Sequence, residues 1–147
     1  MSDLNIFYAD DDDDDLMLFN DAVDSITNNS NDSIQLHIHK NGENLLQSIK
    51  ENKHNNGVVF LDLNMPRKSG FQFLEEIRNE PSINQFPVII YSTSSNKSDI
   101  DMSISLGANF YAVKPYNFHD LTRMIQDVIE IDWKNIKIDT NNFLLIK

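Results

Sequence analysis

A parallel β-sheet with helices packed on both of its faces follows from three features of this chain. Short apolar runs alternate with segments whose apolar residues recur every three or four positions, the spacing of a helical stripe. Two of the runs, GVVFLDL and FPVIIYS, are apolar almost throughout, the pattern of strands buried on both faces. A helix-length segment separates most strand-like runs, which suits right-handed crossovers between parallel neighbours.

The elements follow in order. Leu4 to Ala9 forms the first strand, and the helix after it carries Leu16, Phe19, Val23 and Ile26 on one face before the polar run NNSND breaks it. In SIQLHIH, Ile34, Leu36 and Ile38 alternate as a second strand; ENLLQSIKEN is a short helix, and GVVFLDL is the third strand. NMPRKSG reads as a loop, after which FQFLEEIRN sets Phe71, Leu74 and Ile77 on one helical side. FPVIIYS is the fourth strand. Asn96 or Ser98 caps a helix reaching Leu106, which Gly107 ends because glycine tolerates the left-handed conformation. NFYAVKP is the fifth strand, and Asn117 caps a last helix to about Ile131.

At 147 residues the chain has a single-domain length, enough to bury roughly 68 to 70% of the surface its unfolded form exposes. A hydrophobic fraction of 40% with 24% charged residues is a globular composition. No run approaches the ~18 apolar residues of a membrane span, and MSDLNIFYADD lacks the basic start and cleavage site of a signal peptide, so a cytoplasmic protein is expected, without a membrane partner. The absence of cysteine removes disulfides, thiolate zinc sites and a cysteine nucleophile. A net charge of -11 without a basic patch argues against a nucleic-acid partner. His37, His39, His54 and His119 lack metal-ligand spacing.

Ligands of such sheets sit at the carboxyl ends of the strands. Asp10 and Asp11 stand there after the first strand, Asp62 after the third, Ser92 after the fourth and Lys114 after the fifth. The first two open a run of six aspartates, Asp10 to Asp15. Two carboxylates ~4 Å apart cost up to about 4 kcal/mol at an effective dielectric of ~20. Mg²⁺, or Mn²⁺, answers that repulsion with hard oxygen ligands. A carboxylate beside such an ion can attack phosphorus and form an acyl phosphate, while the metal and a lysine neutralise the transferred group and a serine hydroxyl hydrogen-bonds it.

The segments ADDD, FLDLNMP, YSTS and YAVKPY, in this order over about residues 4–131, resemble the receiver domain of two-component response regulators, in its stand-alone form. The resemblance implies a flavodoxin-like sheet of order 2-1-3-4-5, with residues 1–131 as the domain and 132–147 as an extension. It implies that Asp62 is the phosphoacceptor, that Asp10 and Asp11 hold Mg²⁺ with the backbone carbonyl of Asn64, and that Lys114 pairs with the phosphoryl group. Ser92 takes the switch hydroxyl position and Tyr111 the aromatic one, so that movement of Ser92 vacates space for Tyr111. The Lys114–Pro115 bond is cis in the family. Asn64 and Ser94 occupy positions that influence acyl phosphate lifetime. The implied partners are a histidine kinase or histidine phosphotransfer protein and a downstream protein target, with a homodimer as one form. A receiver is no enzyme beyond assisting its own phosphorylation and dephosphorylation.

Asp12 to Asp15 read as a solvated helix start, where carboxylates complement the helix dipole. An EF-hand is excluded because Asp15 stands at the sixth loop position, where glycine is needed. The alternative is a haloacid-dehalogenase-type phosphatase using Asp10 and Asp12, with Ser92 and Lys114. It needs an acidic motif on a strand after the lysine, whereas PYNFHDLTRMIQD reads as a helix, and it leaves Asp62 and the NMP loop unexplained. The closing segment DWKNIKIDTNNFLLIK is too short for a DNA-binding output domain. Its apolar Trp133, Ile136, Ile138 and FLLI predict packing on the domain or on a partner.

Overall fold

In the computed structural model, which describes residues 3–30 and 33–145, the chain runs β1 (Asp3–Asp10), α1 (Asp13–Asn28), β2 (Ser33–Lys40), α2 (Leu45–Glu51), β3 (Gly57–Leu61), α3 (Gly70–Asn79), β4 (Val88–Ser92), α4 (Lys97–Ser105), β5 (Phe110–Val113) and α5 (Phe118–Glu130). All the paired strands are parallel, in the order β2-β1-β3-β4-β5 of a flavodoxin-like doubly wound sheet. The chain winds outward from β1 to the β2 edge, then returns past β1 to β3 and continues to the other edge. That reversal opens a crevice above the carboxyl ends of β1 and β3.

Strand periodicity divides the core in two. Ile6, Tyr8, Val58, Phe60, Ile89, Tyr91 and Ala112 meet the buried residues of α1 and α5, whereas Phe7, Ala9, Val59, Leu61, Val88, Ile90 and Tyr111 meet Leu45, Ile49, Phe73, Leu74 and Ile77 from α2 and α3. Every residue of β3 and β4 is buried, which explains their unbroken apolar sequences. On edge strand β2 the expected alternation holds for Ile34 and Leu36, which pack on the first cluster, but Ile38 is 40% exposed. In α3 the buried side is Gly70, Phe73, Leu74 and Ile77, with Phe71 only partly buried. Positions three apart drift across a helix that turns every 3.6 residues, so the stripe includes Phe73. Part of the NNSND break, Asn31 and Asp32, lies outside the described residues, as does Ile146 of FLLI.

After α5 the chain folds back on its own sheet. Trp133 is buried, donates its indole N–H to the Val128 carbonyl at 2.9 Å, and meets Phe110 edge-on at 5.8 Å. Past a single 3₁₀ turn at Thr140–Asn142, a parallel bridge forms between Leu144 and Tyr111. The Tyr111 N–H donates to the Phe143 carbonyl and the Leu145 N–H to the Tyr111 carbonyl, each at 3.0 Å. Phe143 is buried in the second cluster, while Ile138 remains exposed. Lys114–Pro115 is trans, like every described peptide bond, which departs from the cis bond of the family pattern. The intrinsic preference of an X–Pro bond for trans is only about 0.5–1 kcal/mol, so either isomer is accessible to this residue pair. No helix among the described residues is long and apolar enough to cross a membrane.

Candidate functional site

Strand register builds the site. Ala9 pairs with Leu61, and the Asp62 N–H donates to the Ala9 carbonyl at 3.0 Å, so Asp10 and Asp62 emerge side by side. Both are buried, and Asp11 stands exposed beside them. One carboxylate oxygen from each of Asp10, Asp11 and Asp62 lies within 4.8 Å of the others, a group that could hold a divalent cation. Behind Asp62 the chain passes so close to α3 that a Cβ on Gly70 would stand 2.4 Å from the Asp62 carbonyl oxygen. Glycine is needed for that approach, which fixes the loop carrying Asp62. Asn64 is exposed on this loop, between buried Leu63 and Met65.

Lys114 reaches the same crevice because its N–H continues the β4–β5 ladder to the Ser92 carbonyl at 2.8 Å. Its ammonium donates to Asp10 Oδ2 and to Asp15 Oδ2, each at 2.8 Å, and lies 3.3 Å from Asp62 Oδ1. Burial would lower the Lys114 pKa, but these carboxylates outweigh it and raise it.

Asp10 and Asp62 fare differently although they are neighbours. Burial pushes Asp10 upward, yet hydrogen bonds from Lys114, the Tyr8 hydroxyl and the Asp12 N–H hold it below the usual carboxylate range. Asp62 is also buried, but of those donors it has only Lys114, at the longer distance of 3.3 Å. Desolvation, reinforced by Asp10 and only partly offset by Lys114, pushes it up to about 7. The cluster therefore carries one well-neutralised carboxylate and one poorly neutralised one. A cation on the latter relieves the imbalance.

Ser92 is wholly buried, its Oγ accepting the Ser94 N–H at 3.1 Å. Ser94 in turn donates its hydroxyl to Asp99 at 2.6 Å, and its carbonyl accepts the Tyr111 hydroxyl at 2.7 Å. Tyr111 is fully buried, with its hydroxyl held by that carbonyl.

The aspartate run resolves into distinct jobs. Asp12 Oδ1 accepts the N–H groups of Asp14 at 2.8 Å and Asp15 at 3.1 Å, capping α1. Asp13 pairs with Lys40 at 2.9 Å in solvent, and Asp14 is exposed. Asp15 is no solvated bystander: its carboxylate is half-buried against Lys114. Six identical residues in a row conceal it. Tyr8 was also missed, and strand alternation is its signal, since residues 8 and 10 face the same way. Because Asp12 spends its carboxylate on the cap, the Asp10 and Asp12 pairing of the phosphatase alternative is not formed.

A doubly wound parallel sheet with three carboxylates and a lysine at its carboxyl ends defines a class, and the chain belongs to it: the model of the response regulator receiver domain family, a family of two-component signalling, matches residues 6–126. Within it the chain is similar to response regulator Rcp1 of Synechocystis sp., at 37% identity over 78 residues, 53% of this chain and 53% of that protein. The chain spans about half the length of the curated relatives it matches. The Mn²⁺-bound form of Rcp1 superposes with a TM-score of 0.70 at 26% identity, covering 92% of this chain and 99% of that one. The phosphorylated cyanobacterial phytochrome response regulator RcpA gives 0.68 at 27% identity over 89% and 94% of the two chains. The receiver family is not a typical family of catalytic enzymes, and the phosphatase alternative finds no support in it.

Proposed function

We propose that the protein is a phosphoacceptor of a two-component phosphorelay, taking a phosphoryl group on Asp62 and signalling through protein–protein contacts. The observation that carries this reading is the geometry at Asp62, buried beside Asp10 and Asp11 with the Lys114 ammonium 3.3 Å away. An Asp62 carboxylate oxygen attacks phosphorus, the P–N bond of a phosphohistidine breaks, and its electron pair goes to the imidazole, which takes up a proton. The donor is a histidine kinase or a histidine phosphotransfer protein. Asp10, Asp11, Asp62 and the Asn64 carbonyl hold Mg²⁺, which when bound supplies charge neutralisation for the phosphoryl oxygens. Lys114 pairs with one of those oxygens and the Ser92 hydroxyl donates to another. The Mn²⁺-bound form of Rcp1 and the phosphorylated form of RcpA support the metal and the modification. Apart from assisting its own phosphorylation and dephosphorylation, the protein performs no catalysis in this reading. Residues 1–131 are the receiver, and 132–147 are an extension, of which Trp133, Phe143 and Leu145 pack on it.

Acetyl phosphate with Mg²⁺ should add one phosphoryl mass, labile to hydroxylamine, to the wild-type chain and none to Asp62→Asn. Equal labelling of both would overturn the assignment.

A further inference from the structure

Phosphoryl transfer needs Lys114 free to meet an anion, yet the structure supplies the ammonium with a carboxylate that the metal cluster does not include. Lys114 Nζ stands at 2.8 Å from both Asp10 and Asp15, closer than its 3.3 Å to Asp62. An ammonium has three donors. Two are committed to Asp10 and Asp15, and only the remaining one is left for Asp62.

The two committed partners are not equivalent. Asp10 Oδ2 also accepts the Tyr8 hydroxyl and Asp10 Oδ1 the Asp12 N–H, so Asp10 stays anchored whatever Lys114 does. It also belongs to the group that could hold a cation, and Asp15 does not. Among the described residues the hydrogen bond of the Asp15 carboxylate is the one to Lys114. Its backbone is fixed independently by the Asp12 cap. With Lys114 only 10% and Asp15 35% exposed, the pair is better shielded than an ordinary surface ion pair.

Resting on the phosphoacceptor reading, we propose that Asp15 is a positioning residue that keeps hold of the Lys114 ammonium when a cation engages Asp10 and Asp62, and so competes with the phosphoryl group for it. An arriving phosphoryl oxygen then wins the ammonium from a carboxylate rather than from water. Asp15 acts only through Lys114, and it makes the phosphoryl-bound state less favourable than the metal cluster alone would leave it.

Beryllofluoride, a phosphoryl mimic, tests this by titration calorimetry at saturating Mg²⁺. Asp15→Asn should bind it about three- to tenfold more tightly than wild type, the scale of a partly shielded ion pair. Asp15→Glu, which restores a carboxylate, should return toward wild-type affinity. Asp14→Asn, an identical charge change one residue away, should stay within about twofold. In a Lys114→Ala background, Asp15→Asn should have no effect, because its action passes through the ammonium. Unchanged or weaker binding by Asp15→Asn would overturn the proposal. So would equal tightening in the Lys114→Ala background or by Asp14→Asn, which would mark a diffuse field acting on an anion. If wild type itself fails to bind beryllofluoride with Mg²⁺, the phosphoacceptor reading falls and this proposal with it.

Discussion

The helices α1 and α4 border the site on opposite sides and are held in opposite ways. On α1, Leu16, Phe19, Ala22, Val23 and Ile26 are buried, and the Phe19 ring meets Tyr8 at 4.4 Å, Phe60 at 5.1 Å and Tyr91 at 5.9 Å. On α4 the only fully buried residue is Ser103, with Ile100 and Ile104 partly covered and Met102 exposed. The firm side carries the fixed charges, Asp10 at the end of β1 and Asp15 on α1. The loose side carries the hydroxyl chain from Ser92 through Ser94 to Asp99 and Tyr111. Asp10 and Asp15 both hold the Lys114 ammonium at 2.8 Å, and charges kept at such a fixed distance need a rigid support. A surface that changes shape is best drawn from the low-stability end of the structure.

The largest test of this contrast is in the core. Phe19→Ala should cost about 3 to 5 kcal/mol, read from the urea midpoint at constant slope, because the aromatic cluster cannot collapse onto the void. Ile104→Ala on α4 should cost about 1 kcal/mol, since little buried surface is lost. Comparable losses would abolish the distinction between the two helices.

Next comes a pair of opposite sign within the site. The raised pKa of Asp62 means that the metal-free protein loses stability as pH rises from about 4 to about 7, because the unfolded carboxylate ionises first. Asp62→Asn escapes that loss and should stabilise the metal-free protein by about 1 to 3 kcal/mol at pH ~8, with the gain fading near pH ~4.5. Asp10, lowered by its donors, contributes stability above its unfolded pKa, so Asp10→Asn should destabilise at neutral pH. Melting temperatures across a pH series without metal check both signs. Added Mg²⁺ should shrink the Asp62→Asn gain.

A smaller effect belongs to the hydroxyl chain. Tyr111→Phe removes the 2.7 Å bond to the Ser94 carbonyl and should cost about 0.5 to 1.5 kcal/mol. Amide exchange should accelerate between Ser94 and α4 but not in α1. Smallest are the caps. Asn117 accepts the Asp120 N–H at 2.8 Å, whereas Asn96 makes no side-chain cap bond to α4. Asn117→Ala should therefore cost about 1 kcal/mol and Asn96→Ala close to nothing, by the same denaturation assay.

Most of the fold was legible because its signals are local. All-apolar runs marked β3 and β4, Asn117 and Gly107 bounded helices, and chain order alone put Asp10, Asp62, Ser92 and Lys114 at strand ends. Gly107 does adopt the left-handed conformation, at φ 91°. The signals that failed were non-local or degenerate. Nothing within six consecutive aspartates separates Asp15 from Asp14 until Lys114, 99 positions away, comes to rest on one of them. Tyr111 shares its buried cluster with Phe143, which arrives across the sheet edge from the far end of the chain. Phe73 and Phe71 are the same residue two positions apart, and only packing against the sheet distinguishes them. One signal went unread: Ser69 and Gln72 form a reciprocal capping box at the start of α3, with the spacing such boxes require.

The bridge between Leu144 and Tyr111 has a kinetic and thermodynamic consequence of its own. The free edge of a sheet is a template for any extended peptide, and here residues 143–145 occupy the β5 edge as a segment tethered to the same chain. A tethered competitor acts at an effective concentration in the millimolar range for a short linker. A foreign strand must outbid that value, or wait for the segment to detach, before it can pair with β5. The chain thereby sets an affinity threshold at this edge that excludes weak, sequence-indifferent pairing.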